Sequence, residues 1–133
     1  MTTDAPIDDT ARCPCGRGPR YGRCCGRLHR GEAEALTAED LMRSRYSAFV
    51  VGDVAYLERS WHPSTRPADV RVVPGQRWTG LDVVATDAGG PLDAEGVVEF
   101  VAHFERGGRA DALHERSSFT RLDGRWVYLS GRA

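Results

Sequence analysis

Gly96-Val97-Val98-Glu99-Phe100-Val101-Ala102-His103-Phe104-Glu105-Arg106-Gly107-Gly108 is the stretch on which the fold turns. Val98, Phe100, Ala102 and Phe104 fall on one side, and Glu99, His103 and Glu105 on the other. That period of two is the mark of a half-buried strand. Gly107-Gly108 reads as a two-residue hairpin turn. The return strand covers 109–122. Asp123-Gly124 is a second two-residue turn, and a strand over 125–130 follows. A loop of that length pairs Leu122 with Arg125, Thr120 with Val127 and Phe119 with Tyr128. Glu115, Ser117, Phe119, Trp126 and Tyr128 then share one face, because register fixes which side each residue takes. The aromatics mark that face as the one helices cover.

Working toward the N-terminus, Trp78 to Thr86 reads as a further strand, and Asp87-Ala-Gly-Gly-Pro91 turns the chain. Residues 63–76, with three prolines, read as a loop. Thr37-Ala-Glu-Asp40 resembles a capping box with Asp in place of Glu, so a helix is predicted over 38–51, ending near Gly52. Its apolar side holds Ala38, Leu41, Met42, Tyr46, Ala48 and Phe49, with Arg43, Ser44 and Ser47 opposite. Asp53 caps a second helix running to about Trp61, with Val54, Leu57 and Trp61 in one stripe and His62-Pro63 as its stop. Two helices followed by an antiparallel sheet make an α+β domain.

Arg45 projects into the apolar sector of its helix, and a buried Arg calls for a partner. Glu115 lies in the same interior, so an Arg45–Glu115 ion pair is expected. A pocket between helices and sheet would be lined by Arg45, Tyr46, Trp61, His62, Glu115 and Tyr128. His62 is its candidate general base. The alternative is that the pair only fixes helix against sheet and the aromatics are core. His103 and Glu105 share the opposite strand face, where solvated charge is expected rather than a second metal site. His114 shows no partner pattern.

All four cysteines lie within thirteen residues, as Cys13-Pro-Cys15, eight intervening residues, then Cys24-Cys25. Disulfides are disfavoured, since Cys24 and Cys25 could bond to each other only as a strained vicinal pair. From Ala11 to Gly31 the only large apolar side chains besides cysteine are Tyr21 and Leu28, and six Arg stand there with no acid. Such a segment cannot fold by burying surface. A tetrathiolate site supplies roughly 10–16 kcal/mol of apparent binding energy, and four sulfur donors suit zinc. Metal ligands are therefore expected at Cys13, Cys15, Cys24 and Cys25. His29 could substitute as a ligand, but is otherwise expected at the surface.

Cys13-Pro-Cys15-Gly16-Arg-Gly18-Pro-Arg-Tyr21-Gly-Arg-Cys24-Cys25-Gly26 resembles the SEC-C motif, the zinc knuckle at the C-terminus of the SecA translocation motor. Further on, Leu41-Met-Arg-Ser-Arg45-Tyr-Ser-Ala-Phe49, Trp61-His-Pro-Ser-Thr-Arg66, Glu115-Arg-Ser-Ser-Phe119 and Asp123-Gly-Arg-Trp-Val-Tyr128 resemble the YchJ family of bacterial proteins, over roughly residues 12–131. The resemblance implies a cystatin-like cone of the nuclear-transport-factor-two type and brings no activity with it. Some family members carry a second knuckle after the domain. Residues up to Ala133 hold none, so a function needing two knuckles is not expected. The expected organisation is a disordered tail over 1–11, a SEC-C-like knuckle over 12–31 and the cone over 36–131.

Composition is that of a globular chain, with 41 % hydrophobic and 28 % charged residues in 133. No apolar run reaches the length of a membrane span. The first ten residues hold three acids, no base and no apolar core, so no secretory signal is expected and the expected compartment is the cytoplasm. Every basic residue is Arg. Residues 11–30 carry +6 while the whole chain carries −1. That local field suggests an adaptor whose Arg-rich knuckle contacts an acidic protein or ribosomal RNA surface. The rival expectations are a small-molecule binder or enzyme using the cone, and a redox or zinc-responsive switch at Cys24-Cys25. No nucleophile elbow, phosphate loop or dinucleotide fingerprint is present.

Overall fold

The computed structural model describes residues 7–133. After a 3-10 turn at Tyr21–Arg23 the elements are α1 (Cys25–His29), α2 (Ala38–Val51), α3 (Val54–Arg59), β1 (Gln76–Ala88), β2 (Glu95–Arg106), β3 (Arg109–Leu122) and β4 (Arg125–Arg132). The strands form one antiparallel sheet in the order β1-β2-β3-β4, so each strand pairs with its neighbour in sequence. The expected α+β cone is present.

Local chemistry explains the boundaries. Thr37 accepts a hydrogen bond from the Asp40 N–H, and the chain leaves α2 at Gly52. Asp53 accepts from Tyr56 N and starts α3. That helix stops at Arg59, two residues short of the expected Trp61, which instead forms a parallel bridge with Tyr128 of β4. Gly107 and Gly108, at φ 59° and 79°, make the β2–β3 hairpin turn.

The expected register holds at the β3–β4 turn: Leu122 pairs with Arg125, Thr120 with Val127 and Phe119 with Tyr128. Beyond it a bulge shifts the pairing, so that Ser118 meets Ser130. Two further bulges, after Trp78 and after Val83, break the ladder between β1 and β2. Bulges increase local twist and bend, which lets the sheet curve around α2.

The concave face packs on α2 through Leu41, Met42 and Tyr46 against Val98, Phe100, Phe119 and Trp126. Trp126 Nε1 donates to Leu36 O at 3.2 Å. A second cluster joins Leu28, Ala48, Tyr56, Leu57 and Val70, so the loop before β1 is held by its valine. The convex face carries charge pairs. His103 bonds Asp82, His114 bonds Glu99 and Arg77 pairs with Glu105. His114 thus has a cross-strand partner the sequence did not reveal.

Two expectations change. Ser44 and Ser47, assigned to the polar side of α2, are fully buried. Ser44 Oγ donates to Leu41 O at 2.7 Å and lies 2.6 Å from Tyr56 Oη, while Ser47 Oγ faces Cys13 Sγ at 3.7 Å. The cysteine-rich segment therefore covers the side of α2 that the sheet leaves open. Of the tail expected over 1–11, the described residues from Ile7 on are packed. Residues 1–6 lie outside the described residues, but Ile7 packs against the cysteine cluster. Gly22 N donates to Asp9 O at 2.9 Å.

Candidate metal centre and cone cavity

The knuckle closes on itself through backbone pairing. Arg12 bridges Arg20, and Tyr21 N donates to Ala11 O. This brings Cys13 and Cys15 onto Cys24 and Cys25 at the start of α1. The four sulfur atoms all lie within 4.8 Å of one another, and Cys15 and Cys24 are 3.6 Å apart. Sulfurs about 2.3 Å from a tetrahedral zinc stand about 3.8 Å from each other, so the donor set fits such an ion. Cys13, Cys15 and Cys25 are buried. Thiol hydrogen bonds from Cys15 and Cys25 push Cys13 well down, while Cys25 is pushed well up by Cys13 and Cys15, and burial pushes Cys24 up to about 12. One thiolate is favoured at its neighbours' expense, and a cation in place of their protons relieves that conflict.

The surroundings hold the cluster to α2. Arg43 Nη1 donates to Cys15 O at 2.8 Å, and Arg17 pairs with Glu39 and Asp40. Arg59 Nη2 donates to Leu28 O and His29 O. His29 is buried rather than at the surface, and it is not among the clustered ligands. Its ring sits between Tyr21 Oη at 2.7 Å and Ser44 O at 2.8 Å.

The second site lies between α2 and the concave sheet, a cavity of about 340 Å³. Arg45, Tyr46, Trp61, Glu115 and Tyr128 line it together. Most of its remaining wall is apolar, including Met42, Phe49, Trp78 and Phe100. Val73 and Leu113, 50 % and 40 % exposed, stand at its rim. His62 does not line it. Its Nδ1 instead accepts from Ser64 N and meets Ser64 Oγ, a local turn bond outside the cavity.

The expected ion pair is replaced by another arrangement. Arg45 Nη1 donates to Leu57 O at 2.9 Å and Ser60 Oγ at 2.7 Å, and Arg45 forms no ion pair among the described residues. Leu57 O belongs to the last turn of α3; its neighbours Tyr56 O and Glu58 O accept from the Ser60 and Trp61 N–H groups, and the Arg45 cation caps Leu57 O. Tyr128 stands between the two charges. Its ring centroid is 4.7 Å from Arg45 Cζ, and its hydroxyl donates to Glu115 Oε2 at 3.3 Å. Ser117 Oγ donates to the same oxygen at 2.6 Å. A Cβ on Gly131 would run into the Glu115 carboxylate, so glycine leaves that group its place.

Comparisons place this geometry among known proteins. The family model described as YchJ, middle NTF2-like domain, matches residues 37–131. A UPF0225 protein of Streptomyces coelicolor is 56 % identical over 122 residues, covering 92 % of this chain and 95 % of the relative. A UPF0225 protein of Ralstonia nicotianae is 53 % identical, over 92 % and 91 %. The solution structure of a SEC-C motif containing protein from Rhodopseudomonas palustris aligns with TM-score 0.81 at 35 % identity, over 91 % of this chain and 97 % of that one. A crystal structure of a SEC-C motif containing protein from Psychrobacter arcticus aligns at 0.69 and 27 %, over 89 % and 80 %. No helix among the described residues is long and apolar enough to cross a membrane.

Proposed function

This chain belongs to the YchJ family, and from that premise we propose that it is a cytosolic zinc-binding protein whose cone binds a small molecule. The observation that carries the proposal is the cavity itself, about 340 Å³ of mostly apolar space inside a well-packed domain. It stands at the lower end of the range of ligand sites, about 300–1,000 Å³, so the occupant is small. The zinc is structural in this reading, because four thiolates leave no position for a catalytic water. In this reading the cavity binds its occupant; His62, the candidate general base, does not line it. A thermal-shift screen of small molecules on the metal-loaded protein tests it. Hits that raise Tm by at least about 3 °C, roughly 1 kcal/mol for a domain of this size, should lose their effect in Ala102→Leu, which fills the cavity wall. Hits that persist in that variant would place binding elsewhere and overturn the proposal.

A second reading keeps the knuckle as an adaptor surface for an acidic protein or ribosomal RNA. Arg12, Arg20, Arg23 and Arg27 are exposed and take part in no ion pair among the described residues, whereas Arg17 and Arg30 are paired with acids of this chain. Recovery of such a partner should fall with added salt and in the Arg12, Arg23 and Arg27→Ala variant, with a shallower salt dependence. Salt-insensitive recovery by the variant would refute this reading.

A further inference from the structure

Arg45 is only 6 % exposed. The Trp61 and Tyr128 rings, centroids 4.9 and 4.7 Å from its Cζ, lie over it and hold it in place. Both hydrogens of Nη1 are used, on Leu57 O and Ser60 Oγ. Nε and Nη2 have no hydrogen-bond partner among the described residues, and the residue's remaining access is to the cavity it lines. Burial lowers its pKa to about 10, so at neutral pH it is still a cation. Glu115 acts on it only through space, and a buried cation without an anion in contact is costly. Two guanidinium nitrogens of Arg45 thus stand without acceptors at a cavity whose wall is mostly apolar and whose other charged side chain is Glu115.

We propose that the cavity takes a small organic acid, its carboxylate on the Nε and Nη2 edge of Arg45 and its apolar body against Met42, Phe49 and Trp78. The proposal rests on the reading of the cavity as a ligand site. A guanidinium edge matches a carboxylate in a two-point contact that a lysine or an amide cannot reproduce. Glu115 sets the orientation. Its carboxylate is held by Ser117 and by the Tyr128 hydroxyl, at the edge of the ring whose face Arg45 covers, where it repels an anion and drives it to the arginine.

The test compares phenylacetate, 3-phenylpropanoate and 4-phenylbutanoate with their primary amides, by calorimetric titration of the metal-loaded full chain at pH 7.5. At least one acid should bind about tenfold tighter than its amide, as expected for a hydrogen bond to a charged group. Arg45→Gln should bring that ratio below about twofold, and Glu115→Gln should tighten the acid about threefold while leaving the amide unchanged. Amides that bind as well as acids would overturn the organic-acid assignment and leave the cavity reading standing. Failure of every acid and amide to bind at millimolar concentration would overturn both. Should Arg45→Gln fail to fold, the native acid-to-amide ratio and the Glu115→Gln shift decide the matter.

Discussion

His29 Nε2 faces Ser44 O, and a carbonyl can only accept, so the proton sits on Nε2. Nδ1 is then the acceptor for the Tyr21 hydroxyl. Protonating Nδ1 would reverse that bond, the Tyr21 hydroxyl then accepting, and burial lowers the His29 pKa below its ordinary 6.5. The unfolded chain takes up a proton near 6.5, while the folded chain takes it up only at lower pH. Below that value the unfolded state holds more protons, so stability falls as pH falls, at up to about 1.4 kcal/mol per pH unit. Above 6.5 this group adds no slope. His29→Gln keeps a donor and an acceptor but cannot titrate. Between pH 6.5 and 5 the denaturant midpoint of the native chain should drop more steeply than that of His29→Gln. Parallel curves would show that His29 titrates alike in both states. A lone His after a cysteine motif gave no sign of this role, because its two partners come from the knuckle and from the middle of α2.

At the scale of elements, what could be read from sequence was set by how local each cause is. Thr37 and Asp53 announce their helices because a cap acts within one turn. Asp123-Gly124 fixes the β3–β4 pairing near the turn for the same reason, but nothing in the alternation around Ser118 and Phe119 signals the bulge that follows. Ser44 and Ser47 were misplaced because a helical wheel sorts by polarity, and a serine that satisfies its own hydroxyl on the preceding turn can be buried at little cost. Two small residues three apart on one side of α2 were the available sign that another backbone approaches there. Arg45 and Glu115 were rightly placed in one interior. Their pairing failed because the open carbonyl end of α3 is nearer to the guanidinium, and the register puts Tyr128 between the charges. The cysteine cluster was legible because metal ligands crowd into a short stretch that cannot otherwise fold. Five of the six residues named for the pocket line the cavity, beside ten that were not named. His62 was the exception, since a turn bond to Ser64 decides where its ring goes.

For the molecule as a whole, the knuckle is the cover of α2 rather than an appendage. The sheet buries Leu41, Met42 and Tyr46 on one side of that helix, and the knuckle buries Ser44 and Ser47 on the other. Arg17, Arg43, His29 and Arg59 tie the two parts by polar contacts that the sulfur cluster keeps in place. Arg45 leaves α2 between these two sides and lines the cavity, so the order of the knuckle bears on the packing behind the ligand site. The two parts should therefore unfold together. Stripping the metal with a chelator should lower Tm by at least about 10 °C, near 3 kcal/mol for a chain of this length, and calorimetry should still show one transition. Metal analysis of the untreated protein should give one zinc per chain, and adding zinc back should restore Tm. A cone transition unmoved by the chelator, with the knuckle lost in a separate earlier step, would mean that the polar contacts across α2 contribute little and that the sheet alone holds the helix.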